Sequence, residues 1–377
     1  MRIFYFLVAI SLFQVACSSK DKGSSSSCGD EPLFTVSPLA DSDITGIVPL
    51  GNLNPGGGHI FPTDHIYFYI KDSDGEEPVD EVDVKIPGDA VITKIAAKTH
   101  LSADPVFVDY RVTMEPCDDY ELYFSHVQSL SAELSAQITG SGDCSTYATG
   151  GQDYQYCRYE NLSISVKAGD VFGTAGGTVG QAALDLGVYD SRQKQNTFAN
   201  EERLEEEESN LLYAKCPIDD FESTVKAQLE NRFGDYDGSP LRTVEPVCGE
   251  VSQDEIGTAQ GIWFFKSDDS LSPEDPHIAL VHNNVDPTIA VFSVGTELAS
   301  ALSGSTLEFT PEASGLVDRE FSDVTDDGNI YCYTIPTTEG VVLLQMTSST
   351  EIDLEYQAST ECSDSYSFTS AKVSYIR

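Results

Sequence analysis

Short runs of alternating or wholly apolar residues, each ended by glycine, proline or aspartate, leave this chain little room to be anything but β-rich. His65-Ile66-Tyr67-Phe68-Tyr69-Ile70 is a dense aromatic and β-branched run, and Val82-Asp83-Val84-Lys85-Ile86 alternates. The segments 90–95, 107–112 and 121–124 follow the same patterns, and clusters such as Asp72-Ser73-Asp74-Gly75 and Pro87-Gly88-Asp89 punctuate them. Strands return from about residue 240, as in Ile289-Ala290-Val291-Phe292 and Val341-Val342-Leu343-Leu344, with turns at Gly261, Gly304 and Gly340. Between the two regions the period is helical. Asn200 to Glu208 leads to Leu211-Leu212, while Phe221, Val225, Leu229 and Phe233 recur at i, i+4 behind Asp219 or Asp220 as the expected N-cap. Leu130 to Ile138 is read as one more short helix. The expected fold is mainly β: a β domain over 32–198, a helical connector over 199–239, and an all-β sandwich or barrel over 240–377.

The N-terminus is an address. Met1-Arg2 is followed by an apolar run from Ile3 to Phe13, too short for a stable span, so residues 1–16 read as a secretory signal peptide. Cys17 directly after Ala16 resembles the lipidated cysteine of bacterial lipoproteins, although Gln14 stands where that pattern prefers an aliphatic residue. The alternative is ordinary cleavage nearby and a soluble product. The Ser/Lys/Gly stretch within 17–31 is the tether an anchored domain needs, which favours Cys17 as the lipidation site. Membrane attachment through that lipid, and an exported outer-membrane or cell-surface lipoprotein, is the expected location.

Nine cysteines minus Cys17 leave eight, an even number suited to an oxidising compartment. Proximity favours Cys144 with Cys157, Cys216 with Cys248 and Cys332 with Cys362, leaving Cys28 for Cys117; the sequence alone cannot select these among all connectivities. The 62 acidic residues against 21 basic give a formal charge of −41, which repels phosphate backbones and excludes nucleic acid as a partner.

Chemistry concentrates in one segment. Four of six histidines lie between residues 59 and 126, three of them in Gly56-Gly57-Gly58-His59-Ile60-Phe61-Pro62-Thr63-Asp64-His65 and Tyr123-Phe124-Ser125-His126. Imidazole and carboxylate are ligands for catalytic zinc. Further on come Val166-Lys167-Ala168-Gly169-Asp170-Val171-Phe172-Gly173, the turn Gly176-Gly177, and Ala183-Leu184-Asp185-Leu186-Gly187. This order resembles the lysostaphin-type zinc endopeptidases. The resemblance covers about a third of the chain and implies a duplicated-hybrid-motif β fold, a zinc cofactor, and His59, Asp64 and Asp185 as metal ligands. It gives His126 the role of the histidine that polarises the scissile carbonyl.

Departures from that pattern matter more. The step from His59 that should reach an aspartate lands on Thr63, with Asp64 one residue late. At the closing pair Ala183 stands where the resemblance implies a general base, and Asp185 where it implies a histidine ligand. Losing the base removes a contribution of about 10²–10⁴ in rate. The first expectation is therefore a non-catalytic exported lipoprotein binding cell-wall peptide or an envelope partner. A zinc endopeptidase cutting peptidoglycan cross-links comes second and a surface scaffold third. His65 at the head of an apolar strand reads as structural, and His100 as a loop residue. Asp323 to Asn329 matches the first half of a calcium loop but has Thr334 at the twelfth position, so it reads as a turn.

Overall fold

The computed structural model describes residues 27–29, 32–71, 78–149, 152–268, 270–335, 339–358, 361–362 and 367–377. The leader, Cys17 and most of the tether lie outside the described residues, as does the expected turn at 72–75. The chain is mainly β. Its first part contains β1 (Ile44–Val48), β2 (His65–Ile70), β3 (Val82–Lys85), β4 (Ala90–His100), β5 (Phe107–Cys117), β6 (Tyr120–Val127) and β7 (Ser129–Leu130). Then come β8 (Asp143–Thr149), β9 (Gln152–Tyr159), β10 (Ile164–Val166), β11 (Val171–Ala175) and β12 (Ala183–Asp190). The main sheet runs β1-β2-β12-β6-β5-β4-β9-β8, with β10 also on β4; β3-β11-β7 form a separate small sheet. Alternation decides what each face does. Leu122 and Phe124 of β6 and Val112 and Met114 of β5 point into the core, where Phe124 meets Phe172 of the small sheet. Tyr123, Ser125 and Asp185 point the other way.

The second part holds β13 (Gly261–Phe265), β14 (Ile278–His282), β15 (Ala290–Val294), β16 (Ser305–Phe309), β17 (Tyr331–Thr334), β18 (Gly340–Ser348), β19 (Glu351–Ala358) and β20 (Val373–Ile376). They form one sheet in the order β16-β15-β14-β13-β20-β19-β18-β17. It nearly closes: Phe309 and Tyr333, on the two outermost strands, have ring centroids 5.1 Å apart. Of the two expected architectures, sandwich or barrel, the sheet is barrel-like. Trp263, Ile278 and Leu280 face its interior, while Ile262, Phe264, Ala279 and Val281 join the core of the first part. Both faces of β13 and β14 are covered, which is why these strands read as unbroken apolar runs.

The helical segments, both within the first β region and in the connector, are shorter than their periodicity suggests. Helix α1 is only Ala132–Ser135, capped by Ser131, whose hydroxyl accepts from Leu134 N. Helix α2 (Glu201–Glu207) has Asn200 as its cap, accepting from Arg203 N. Helix α3 is Ser223–Glu230, and its N-cap position is Glu222, not Asp219 or Asp220. Those aspartates lie in a 3₁₀ turn, where Asp220 accepts from Tyr120 OH at 2.6 Å and pairs with Lys215. A partner outside the helix takes the carboxylate that a cap would use. His100 ends β4 and stacks on Phe107 at 4.1 Å, so it is a strand residue and not a loop residue. The segment 323–329 is a turn, with Asp327 accepting from Asn329 and Tyr331. The disulfides are Cys28–Cys117, Cys144–Cys157, Cys216–Cys248 and Cys332–Cys362, the pairing proximity favours. They fit an oxidising, exported setting. Among the described residues no helix is long and apolar enough to cross a membrane.

Candidate functional site

Three adjacent strands assemble the site. Pairing sets His65 of β2 opposite Gly187 of β12 and Tyr67 opposite Asp185, while Asp185 faces Ser125 and Gly187 faces Tyr123 of β6. His65, Tyr67, Asp185 and Tyr123 therefore share one face. His126 reaches the same face by an irregularity. The β5–β6 register shifts between Tyr110 paired with Val127 and Val112 paired with Phe124, and His126 has φ +61°. An extra residue in a strand re-aims a side chain, and a left-handed backbone is uncommon for a non-glycine residue, though histidine adopts it more readily than most. The cost of that conformation, on the order of 1–3 kcal/mol, is met by the surrounding structure.

Two imidazoles converge on one carboxylate. His65 Nε2 lies 3.6 Å and His126 Nε2 3.4 Å from Asp185 Oδ2. Behind each ring stands a second carboxylate: His65 Nδ1 is 2.8 Å from Asp64 Oδ1, and His126 Nδ1 3.1 Å from Asp109 Oδ2. Asp64 is fully engaged, because Tyr123 OH donates to its Oδ1 at 3.0 Å and Tyr189 OH to its Oδ2 at 2.5 Å. Gly187 makes room for this: a Cβ there would stand 2.2 Å from Tyr123 Cζ. His59, in a short bridge with Asn54, has its ring centroid 5.7 Å from that of His65. His65 Nε2 and Asp185 Oδ1 are buried with no hydrogen-bond partner.

The electrostatics follow from this alternation of charges. Burial opposes charging His126, but Asp185 and Asp109 outweigh it and push the imidazole up to about 9. Burial likewise opposes His65, and Asp185 and Asp64 raise it. For Asp64, burial is overcome by His65, Tyr189 and Arg111, which hold the carboxyl well below its usual range. His59 goes the other way, lowered by burial and by the neighbouring His65. Burial and then the Asp185 charge keep the Tyr67 phenol protonated.

His59, Asp64, Asp185 and His126 thus lie in one neighbourhood, but His65, which reads as structural, is the group against Asp185, and Asp64 stands behind it. Asp109, Tyr123 and Tyr189 are additions that sequence reasoning missed. Alternation carried a signal for two of them: Asp109 sits between Phe107 and Arg111 on one face of β5, and Tyr189 follows Asp185 and Gly187 at two-residue steps. Ala183, on the same face, offers only a methyl group.

Imidazole and carboxylate are donor types that a divalent metal takes. His126, however, pushed up to about 9 by Asp185 and Asp109, is protonated at neutral pH and would have to give up that proton to bind one. Carboxylate-backed imidazoles presenting Nε2 are how proteins orient histidine ligands, and ligand atoms about 3.3 Å apart are what tetrahedral zinc bonds of about 2.0–2.1 Å require. Among the described residues no set of three or more His, Cys, Asp or Glu side chains forms a ready-made metal cage. The donors stand instead as two imidazole–carboxylate approaches in which His65 Nε2 and Asp185 Oδ1 are unpartnered, while His126 also meets the Gln181 side chain. Comparison with protein-family models, with curated proteins and with solved structures gives no match.

Proposed function

We propose that this chain is an exported, lipid-anchored binding protein with a peptidase-like β domain. Its β2–β12–β6 face takes a divalent metal and an envelope ligand such as cell-wall peptide, without cutting it. The observation that carries the reading is the convergence of His65 Nε2 and His126 Nε2 on Asp185. His65, His126 and Asp185 would hold the ion, with His59 beside them; Asp64 and Asp109 orient the two imidazoles from behind. When bound, zinc supplies Lewis-acid polarisation of a carbonyl or of water. The chain's own residues bind and orient, but Ala183 cannot accept a proton where the lysostaphin-type resemblance calls for a base. The same resemblance favours a duplicated-hybrid-motif fold for the first part, and the leader with Cys17 favours an outer-membrane or cell-surface anchor.

The test combines elemental analysis with a cleavage assay. Protein stripped with chelator and reloaded with zinc should hold a single ion per chain, lost in Asp185→Ala, and should release no soluble fragments from purified peptidoglycan. Absence of stoichiometric metal removes the ion from the account. Metal-dependent release of muropeptides, abolished in His126→Ala, replaces the binding reading with a zinc endopeptidase.

A further inference from the structure

The face that carries Asp185 and His126 does not stop at β6. Register continues it through β5, β4, β9 and β8, and three cross-strand rows can be read from the pairing. One row is Phe107–His100–Tyr154–Tyr147; the next is Asp109–Lys98–Tyr156–Ser145; the third is Arg111–Ala96–Arg158–Asp143. Contacts agree with the register. His100 stacks on Phe107 at 4.1 Å and meets Tyr154 at 5.1 Å, Tyr154 stacks on Tyr147 at 5.3 Å, and Lys98 Nζ lies 4.8 Å over the Tyr154 ring.

Exposure changes along this face. Asp185 is 4% exposed, whereas Tyr147 at the far edge is 42% exposed, so the recess at the three-strand site opens into an accessible strip. His126, with its side chain 36% exposed, stands where the two meet. The strip also departs from the charge of the molecule. Its rows hold Lys98, Arg111 and Arg158 against Asp109 and Asp143, in a chain of 62 acids and 21 bases. Asp109 is committed to His126, Lys98 lies over an aromatic ring, and Arg158 is paired with Asp143 only in a solvent-exposed contact at 3.3 Å, weak enough for an incoming carboxylate to replace. Arg111 is turned onto the Tyr123 ring, so the excess of cations is small, but against the acidic remainder of the surface it favours anionic ligands locally. His100 Nε2, in the aromatic row, is buried without a hydrogen-bond partner.

We propose that this strip is the docking track for an extended acidic peptide whose end reaches His126. This rests on the reading of the three-strand site as a ligand-binding face and names the ligand's class. Carboxylates of the peptide would pair with Lys98 and Arg158, and its apolar side chains would lie along Phe107, His100, Tyr154 and Tyr147. The span from β6 to β8 is four strand spacings, about 19 Å, which an extended peptide of about six residues covers.

The test is calorimetric titration of the full chain with a synthetic hexapeptide alternating glutamate and valine, beside its glutamine counterpart. The glutamate peptide should bind at least about tenfold more tightly at low salt, and the preference should shrink as salt is added. Lys98→Glu combined with Arg158→Glu should abolish the preference, and Tyr154→Ala should weaken binding of both peptides. Circular dichroism and thermal melts of the variants check that the fold is kept, and zinc content is measured in parallel. Equal binding of the two peptides, no binding of either, or an undiminished preference in the charge-reversed protein overturns the track. Peptide binding by zinc-free protein that takes up no zinc keeps the track and removes the metal site. Stoichiometric zinc without peptide binding does the reverse.

Discussion

Gly187→Ala probes the packing that holds Asp64 and His65 in place. An added methyl carbon would stand 2.2 Å from Tyr123 Cζ, 2.3 Å from Cε1 and 2.4 Å from the hydroxyl oxygen. Carbon atoms pack at about 3.5–4.0 Å, so the ring must move by more than about 1 Å. Tyr123 is only 1% exposed and cannot swing into solvent, which makes this overpacking worth about 1–3 kcal/mol. A displaced ring also lets go of Asp64, and a hydrogen bond to a charged group contributes about 1.5–3 kcal/mol. Replacing a strand glycine by alanine returns about 0.5–1 kcal/mol of backbone entropy. The net expectation is a loss of about 2–5 kcal/mol, read from urea unfolding midpoints at unchanged slope. In a Tyr123→Ala background the clash and the bond are both absent, so adding Gly187→Ala should cost nothing or stabilise slightly. Equal penalties in the two backgrounds would refute the reasoning.

Glu274 ties the barrel to the loop beside His59: its carboxylate accepts from Phe61 N at 2.8 Å, and burial, opposed by the Phe61 and Ile60 amides, pushes it up to about 7. A carboxylate raised from 4.5 favours the folded state fully below about pH 4.5, and that contribution is lost as pH rises to about 7; the full shift is worth about 3 kcal/mol. Glu274→Gln, which can still accept from Phe61 N, should remove this pH dependence, so that denaturation curves show the variant gaining on the wild type between about pH 4.5 and pH 7; a constant difference across that window contradicts it. Phe61 stacks on His277 and meets Phe264 edge-on, so Phe61→Ala should cost about 3–5 kcal/mol and loosen the barrel from the first sheet, measurable as faster amide exchange in β13. Replacing Cys216 and Cys248 together by serine should destabilise by about 2–4 kcal/mol in the same urea assay, since the bond closes the loop over 216–248 that contains α3.

What the sequence reveals here is local, and what it hides is pairing. Runs such as His65–Ile70 and Ile289–Val294 announce strands because their period and residue types are read within a few residues. The helical period at Phe221, Val225, Leu229 and Phe233 does mark positions that pack on the core, Val225 only partly buried, but Pro217 and the tertiary claim on Asp220 break the segment into a 3₁₀ turn and one short helix. His65 reads as structural because nothing near it in the chain tells that Asp185, 120 residues later, lies against it. The bulge at His126 is a property of the β5–β6 register, invisible in Tyr123-Phe124-Ser125-His126 by itself. Ala183 and Asp185 are legible as residue types, but which groups stand around them is not: β12 lies inside the sheet between β2 and β6, and the fold brings His65 and His126 against Asp185.

The central claim is that His65, His126 and Asp185 form a metal site. Anomalous diffraction at the zinc edge, from crystals of zinc-loaded protein, tests it most directly. The account predicts a single strong peak within bonding distance of His65 Nε2, His126 Nε2 and Asp185. A peak elsewhere, or an ion-free face with both imidazoles still turned on Asp185, would contradict it.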